Sequence, residues 1–266
     1  MTWIIGSAAL FGSAILVSDV CVTFTNKDGT ERHIDCLQKI YPLGRSVFGG
    51  FSGSVRIGFD ILETLKRDFS NSPPGAALNM NIAAHTWLSR VIQRIFRNAP
   101  EDEQELRSSI ILASAHPTKN RGDTPWPSTD IHIFSSPNFV PVVAAPLEMV
   151  SIGKGNAVSA YMDAIRALST DSGFLKTSMD NQDGQASLLA HMVSTTIDNG
   201  PVPGISTMFQ FGVITRGTYT IHNHEYTAHQ RSGQKIERTF PRIDRGRDEF
   251  ETLSQELLCN AESAKC

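Results

Sequence analysis

Apolar residues with helical spacing come in consecutive pairs of segments in this chain, each pair flanked by strand-like runs, and that order narrows the available folds most. The opening is β-rich: Trp3-Ile4-Ile5, Ala14 to Val17 and Val20 to Phe24 are short apolar runs, punctuated at Gly12-Ser13 and Asn26 to Gly29. The Asp28-Gly29 turn predicts that the strand ending near Phe24 doubles back through His33 to Leu37. From Ser54 the period becomes 3.6 residues, through Ile57, Ile61, Leu65 and Phe69. After a break at Ser72 to Gly75, a second helix runs from Ile82 to Phe96. Strands return at Ser109 to Ala113, Ile131 to Phe134 and Phe139 to Val143, with a polar loop around Lys119 to Ser128. Two more helical stretches, Ala157 to Leu168 and Ala186 to Ile197, precede a strand pair turning at Arg216-Gly217 and a terminal helix, Asp248 to Ala264. Paired helices exclude the strict strand–helix alternation of a doubly wound parallel sheet and predict an α+β layered sandwich. Residues 1–230 read as the folded domain and 231–266 as a polar linker with a C-terminal helical extension.

At 266 residues with 40% apolar side chains, the chain can bury a sizeable core. A net charge of −3 lacks the basic footprint that binding a phosphate backbone requires, so nucleic acid is not an expected partner. The four cysteines, Cys21, Cys36, Cys259 and Cys266, form no CxxC pair and no zinc-like spacing, and read as reduced thiols of a cytoplasmic protein. Trp3 to Val17 is short for a membrane span, has no basic flank, and is broken by Gly6, Ser7, Gly12 and Ser13. It reads as buried strands, with no membrane partner.

Several local patterns have ordinary readings. Gly49 to Ser54 lacks the Lys-Ser/Thr ending of a phosphate-binding loop and the glycine spacing of a dinucleotide site. His222 and His224 share a strand face, followed by His229, but no acidic or thiol ligand accompanies them, so a solvated hairpin is read and no metal or cofactor is expected. Taken singly, Asp19 is a strand-end charge and Lys39 a solvated one.

Thr2 has a chemical reading of its own. A hydroxyl at the mature first residue can use its own α-amine as base, and an unperturbed α-amine titrates at about 7.7–8.0. Thr is also small enough beside Met1 for ordinary methionine removal.

Thr2 opening a strand, Leu16-Val17-Ser18-Asp19-Val20-Cys21-Val22-Thr23, Gln38-Lys39-Ile40, and Val47-Phe48-Gly49-Gly50 leading into a helix together resemble the proteasome β-subunit and HslV-type family of N-terminal-nucleophile hydrolases. Ser151-Ile152-Gly153-Lys154-Gly155 resembles that family's Gly-Ser-Gly before its third helix, and element order agrees over about residues 2–220. Length, the Met-Thr start and the C-terminal extension look most like the betaproteobacterial proteasome homologue branch. The resemblance implies a four-layer αββα sandwich, with two antiparallel sheets between helix pairs. It also implies a threonine-type endopeptidase of a bacterial, cytoplasmic, homo-oligomeric double ring, with a peptide or protein substrate and an ATPase unfoldase or other ring cap as partner.

By the same resemblance, Thr2 is the nucleophile, Asp19 and Lys39 form the charge relay, and the Gly49 amide serves as oxyanion donor. Cys21, Thr23 and Val47 line the substrate pocket, and Asp198 is the nearest counterpart of a later family Asp. Lys154 stands where the family keeps a Ser: it either depresses the amine's pKa or binds Asp19 and dismantles the relay. A ring scaffold with a decayed relay, and a hydrolase of small amides, are the alternative readings.

Overall fold

Burial on both faces of the first two strands sets up the layering. β1 (Trp3–Ala8) and β2 (Ala14–Asp19) are buried at every position. Trp3, Ile5, Ile15 and Val17 enter one apolar cluster, while Ile4, Ala8, Ala14 and Leu16 enter another. Side chains alternate across a strand, so a sheet buried in this way needs a packed layer on each side. The structure is a computed structural model, and it describes residues 2–8, 13–25, 28–70, 79–116, 128–145, 148–170, 182–215, 218–224, 227–229, 235–237 and 240–263.

Chain order continues with β3 (Cys21–Thr25), β4 (Glu31–Asp35), β5 (Ile40–Gly44), β6 (Val47–Ser52) and helix α1 (Val55–Ser70). Helix α2 (Met80–Ala83) runs through a π-helical turn, Ala84–Leu88, into α3 (Ser89–Asn98), followed by the short α4 (Glu101–Glu105). Then come β7 (Ser109–His116), β8 (Ser128–Ser135), β9 (Val142–Val143), β10 (Met149–Gly153) and a 3-10 turn, Lys154–Ala157. Helices α5 (Ser159–Thr170) and α6 (Gln182–Asn199) precede β11 (Phe209–Thr215), β12 (Thr218–His224), the small β13 (Thr227–His229) and β14 (Lys235–Glu237), and helix α7 (Arg247–Ser263).

Two five-stranded antiparallel sheets form the centre, ordered β10-β1-β2-β11-β12 and β5-β6-β7-β8-β9. Ile4 and Leu16 of the first meet Phe48, Ile111 and Ile131 of the second. Helices α5 and α6 cover the outer face of the first sheet through Tyr161, Ile165 and Val193, and α1 and α3 cover the second through Ile61, Leu65 and Ile92. This is the four-layer αββα sandwich expected. Gly50 allows the sheets to approach, because a Cβ there would sit 2.9 Å from Ile4 Cδ1.

The helix expected from Ser54 starts at Val55, with Ser54 Oγ accepting the Ile57 amide at 3.1 Å as an N-cap. The Asp28-Gly29 turn forms, with Asp28 Oδ1 taking the Thr30 amide at 3.0 Å and Gly29 at φ 81°. Helix α4 was not anticipated: its acidic stretch carries no apolar period and buries no side chain. The turn at Arg216-Gly217 and most of the loop around Lys119 lie outside the described residues. No helix among the described residues is long and apolar enough to cross a membrane.

Candidate active site

The buried ends of β1 and β2 bring a carboxylate and an ammonium together. Asp19, the last residue of β2, is fully buried and accepts four hydrogen bonds. Oδ1 takes the Trp3 amide at 2.8 Å and the Lys39 ammonium at 3.1 Å. Oδ2 takes the amides of Cys21 at 3.1 Å and Ser206 at 3.4 Å. Lys39, 1% exposed, also donates to the Cys21 carbonyl. An ion pair without water holds together only when further hydrogen bonds satisfy both partners, and these contacts supply them.

Thr2 sits immediately before Trp3 and is 5% exposed. Its carbonyl accepts the Lys154 amide at 2.8 Å. Gly153, paired with Trp3 across the β1–β10 ladder, has φ 93°, and a Cβ there would land on the Thr2 carbonyl oxygen. The same atom would lie 3.3 Å from Ser52 Cβ, so the C-terminal end of β6 meets Thr2 at this glycine. Trp3 is locked from the other side by stacking on Tyr161 at 4.8 Å. Thr2, Asp19, Lys39 and the Gly153-Lys154 turn are thus gathered at one end of the sandwich.

Other expected residues fall elsewhere. Gly49 lies in the middle of β6, between Tyr41 of β5 and Leu112 of β7, about 10 Å along the strand from Ser52. The Ala115 amide donates to the Ser46 carbonyl at 3.0 Å, which sets the ladder phase: residues 46, 48, 50 and 52 face β7, while the amides of 47, 49 and 51 face β5. The Gly49 amide is therefore committed to the sheet, and its assignment as oxyanion donor is corrected. Val47 is corrected too: it is buried in the cluster under α1, at the far end of β6. Gly49-Gly50, matched to the family by resemblance, falls inside the strand, which ends at Ser52-Gly53.

Cys21 is buried beside Asp19, and burial, with Asp19 adding to it, pushes its thiol up to about 12, so it is no thiolate nucleophile at neutral pH. Thr23, half-buried on β3, has its hydroxyl 3.0 Å from His33 Nδ1. Lys154 has an exposed side chain whose Nζ reaches the Pro203 carbonyl at 3.4 Å; the ammonium on Asp19 is that of Lys39. Asp198 lies half-buried in the last turn of α6, whereas the residue that reaches Asp19 from this region is Ser206. The His222 ring packs against Phe211, with centroids 5.2 Å apart.

Sequence reasoning missed Ser206 and Asp35. The Ser206 hydroxyl donates to Asp35 Oδ2 at 2.7 Å and accepts the Met208 amide at 2.9 Å. Asp35 faces Cys21 across the β3–β4 ladder. No spacing signals this pair; what creates it is the pairing of Phe209 with Asp19, which carries the residues before β11 past the site.

Burial, with Asp19 nearby, raises the pKa of Asp35 against the opposing Ser206 hydrogen bond. The folded protein then binds more protons than the unfolded chain above the ordinary aspartate value, so this group's contribution to stability falls as pH rises through that window. Asp35→Asn removes the slope and keeps an acceptor for Ser206. The variant is expected to gain on the wild type in thermal unfolding between about pH 4 and neutrality; parallel curves would refute the effect of burial.

The layers, paired helices and antiparallel sheets define a proteasome-like fold of the N-terminal-nucleophile hydrolase type. Among solved structures, the chain is similar to Anbu (ancestral beta-subunit) from Yersinia bercovieri, with a TM-score of 0.54 and 14% identity, covering 84% of this chain and 87% of that one. At that identity the likeness is one of fold alone. No protein-family model matches the sequence, and no curated protein matches it.

Proposed function

We propose that the chain is a threonine-type peptidase subunit whose nucleophile is Thr2, freed by removal of Met1. The observation that carries this reading is a single oxygen, Asp19 Oδ1, shared by the amide of Trp3, next in the chain to Thr2, and the Lys39 ammonium. Such an arrangement sets a fixed positive charge beside the first residue of β1.

In this reading Thr2 Oγ attacks a substrate amide carbonyl and gives its proton to the Thr2 α-amine, directly or through water. Lys39 disfavours a second ammonium beside it and so keeps that amine available as base. The tetrahedral intermediate collapses to an acyl-enzyme, the protonated amine supplies the proton to the leaving amine, and water then hydrolyses the ester. The oxyanion donor is the amide of Gly53. Continued past Ser52, the phase of β6 turns that amide to the side where β5 begins only at Ile40, and φ 94° at Gly53 ends the strand there. The turning of Lys154 towards Pro203 supports a relay in which Asp19 serves Lys39.

A fold shared with an ancestral beta-subunit supports assembly of copies into rings; that these rings stack in the cytoplasm, with the sites facing a chamber and an ATPase or other ring cap admitting peptide substrate, is part of the same proposal. The test is treatment of the purified protein with a peptidyl epoxyketone or boronate, followed by mass spectrometry of the N-terminus. Met1 should be absent and the adduct should sit on Thr2, and Thr2→Ala should abolish it. Retained Met1, or an inert Thr2, sinks the peptidase reading in favour of a ring scaffold. A panel of peptides and simple acyl amides then separates endopeptidase from small-amide hydrolase.

A further inference from the structure

Lys39 is carried by a stretch that belongs to neither central sheet. β4 ends at Asp35 and β5 begins at Ile40, so residues 36–39 have no continuous strand partner. On one side the Val20 carbonyl accepts the amides of Cys36 at 3.0 Å and Leu37 at 3.1 Å. On the other side the partner comes from the end of the chain. The Asp244 amide donates to the Cys36 carbonyl at 2.7 Å, the Gln38 amide donates to the Asp244 carbonyl at 3.0 Å, and Leu37 and Asp244 form a parallel bridge.

This strap is anchored away from the site. Arg247, at the start of α7, pairs with Asp60 at 2.5 Å and Glu63 at 3.3 Å on α1, and lies over the Phe59 ring. Phe250 stacks on Phe24 at 5.7 Å and contacts Phe59 at 6.5 Å. The anchors close a turn that delivers Asp244 to the backbone immediately before Lys39.

We infer that the C-terminal segment is a working part of the active site, in which the main chain of Asp244, held by Arg247 and Phe250, positions Lys39 against Asp19. Without it, the Cys36 carbonyl and the Gln38 amide lose these partners, and among the described residues the lead-in to Lys39 keeps the Val20 carbonyl on one side and the Tyr41 hydroxyl on the Gln38 carbonyl. The Lys39 ammonium must reach a buried oxygen at 3.1 Å, and displacements of about 1 Å in such arrangements cost up to about a hundredfold in rate. Asp244 is thus a positioning residue acting through its backbone. This inference rests on the reading of Thr2 as nucleophile.

The test uses the full chain. Asp244→Pro removes the amide that donates to Cys36, and Arg247→Ala releases the anchor without touching the ladder. The rate of Thr2 acylation by an epoxyketone is measured across pH, alongside amide hydrogen exchange at residues 36–40 and thermal unfolding. Both variants should acylate more slowly than the wild type, Asp244→Pro by about 10–100-fold. Their rate–pH profiles should move to higher pH, because the charge that disfavours the protonated amine is no longer held beside it, and exchange at Gln38 should be faster. Folded variants with wild-type rate and profile would overturn the inference, as would faster acylation, which would make the strap an inhibitory cover. Should Asp244→Pro not fold, Arg247→Ala decides by the same criteria. An inert wild type would remove the peptidase reading; exchange at Gln38 then decides the strap separately, and an unchanged rate in the variants would overturn it too.

Discussion

Asp19→Asn is expected to cost about 3–5 kcal/mol of folding stability and to abolish acylation of Thr2. The carboxylate accepts on both oxygens, from Trp3 and Lys39 on one and from Cys21 and Ser206 on the other. An amide offers one accepting oxygen and one NH2 group, so in either orientation two donors are left facing a donor. The Lys39 ammonium, 1% exposed, also loses the carboxylate it is ion-paired with in a buried pair. Lys39→Met should abolish acylation as well but cost less stability, since Asp19 would keep three backbone amides. Urea unfolding of the two variants reads the ranking. Equal costs, or a cost below about 1 kcal/mol for Asp19→Asn, would mean that water reaches this pair.

Gly153→Ala should be nearly as damaging to activity by a different route. At φ 93° a side chain is strained by about 1–3 kcal/mol. The added Cβ also falls on the Thr2 carbonyl oxygen and 2.8 Å from the Thr2 carbonyl carbon. Thr2 has little room to yield, because Lys154 holds the same oxygen and Asp19 holds the Trp3 amide. A forced shift of about 1 Å would lower the single-turnover acylation rate by about a hundredfold. Gly200→Ala is the comparator, since among the described residues no atom beyond its chain neighbours lies within 4 Å of a Cβ there. A Gly153→Ala protein that acylates like the Gly200→Ala protein would show that the turn does not set the position of Thr2.

Much of this architecture was legible from local pattern. The apolar runs that open Trp3 to Ala8 and Ala14 to Asp19 follow from a sheet buried on both faces, and the 3.6 period in α1 from how a helix presents its side chains. The family resemblance alone groups Thr2, Asp19 and Lys39; taken singly, a charge at the end of a short apolar run has an ordinary reading. Gly49 and Val47 are carried over from the same resemblance, whose Gly-Gly leads into a helix, whereas here Gly50 makes room for Ile4 and the strand runs on to Ser52. Asp198 enters only as the nearest counterpart of a later family Asp, while strand pairing delivers Ser206 to the site instead.

By itself, the sequence determined the layers, the helix pairs and which end of each early strand carries a charge, since these depend on spacings within a few residues. Only the tertiary structure decided the rest of the site. The Ser206 contacts with Asp19 and Asp35 span 187 and 171 positions, and Asp244 meets Cys36 and Gln38 from the far end of the chain. A backbone amide or carbonyl has the same chemistry in every residue, so nothing in the letters marks which one will close a gap beside Lys39. That choice is made when the two sheets pack, and the groups they leave unpaired must find partners from whatever segment arrives.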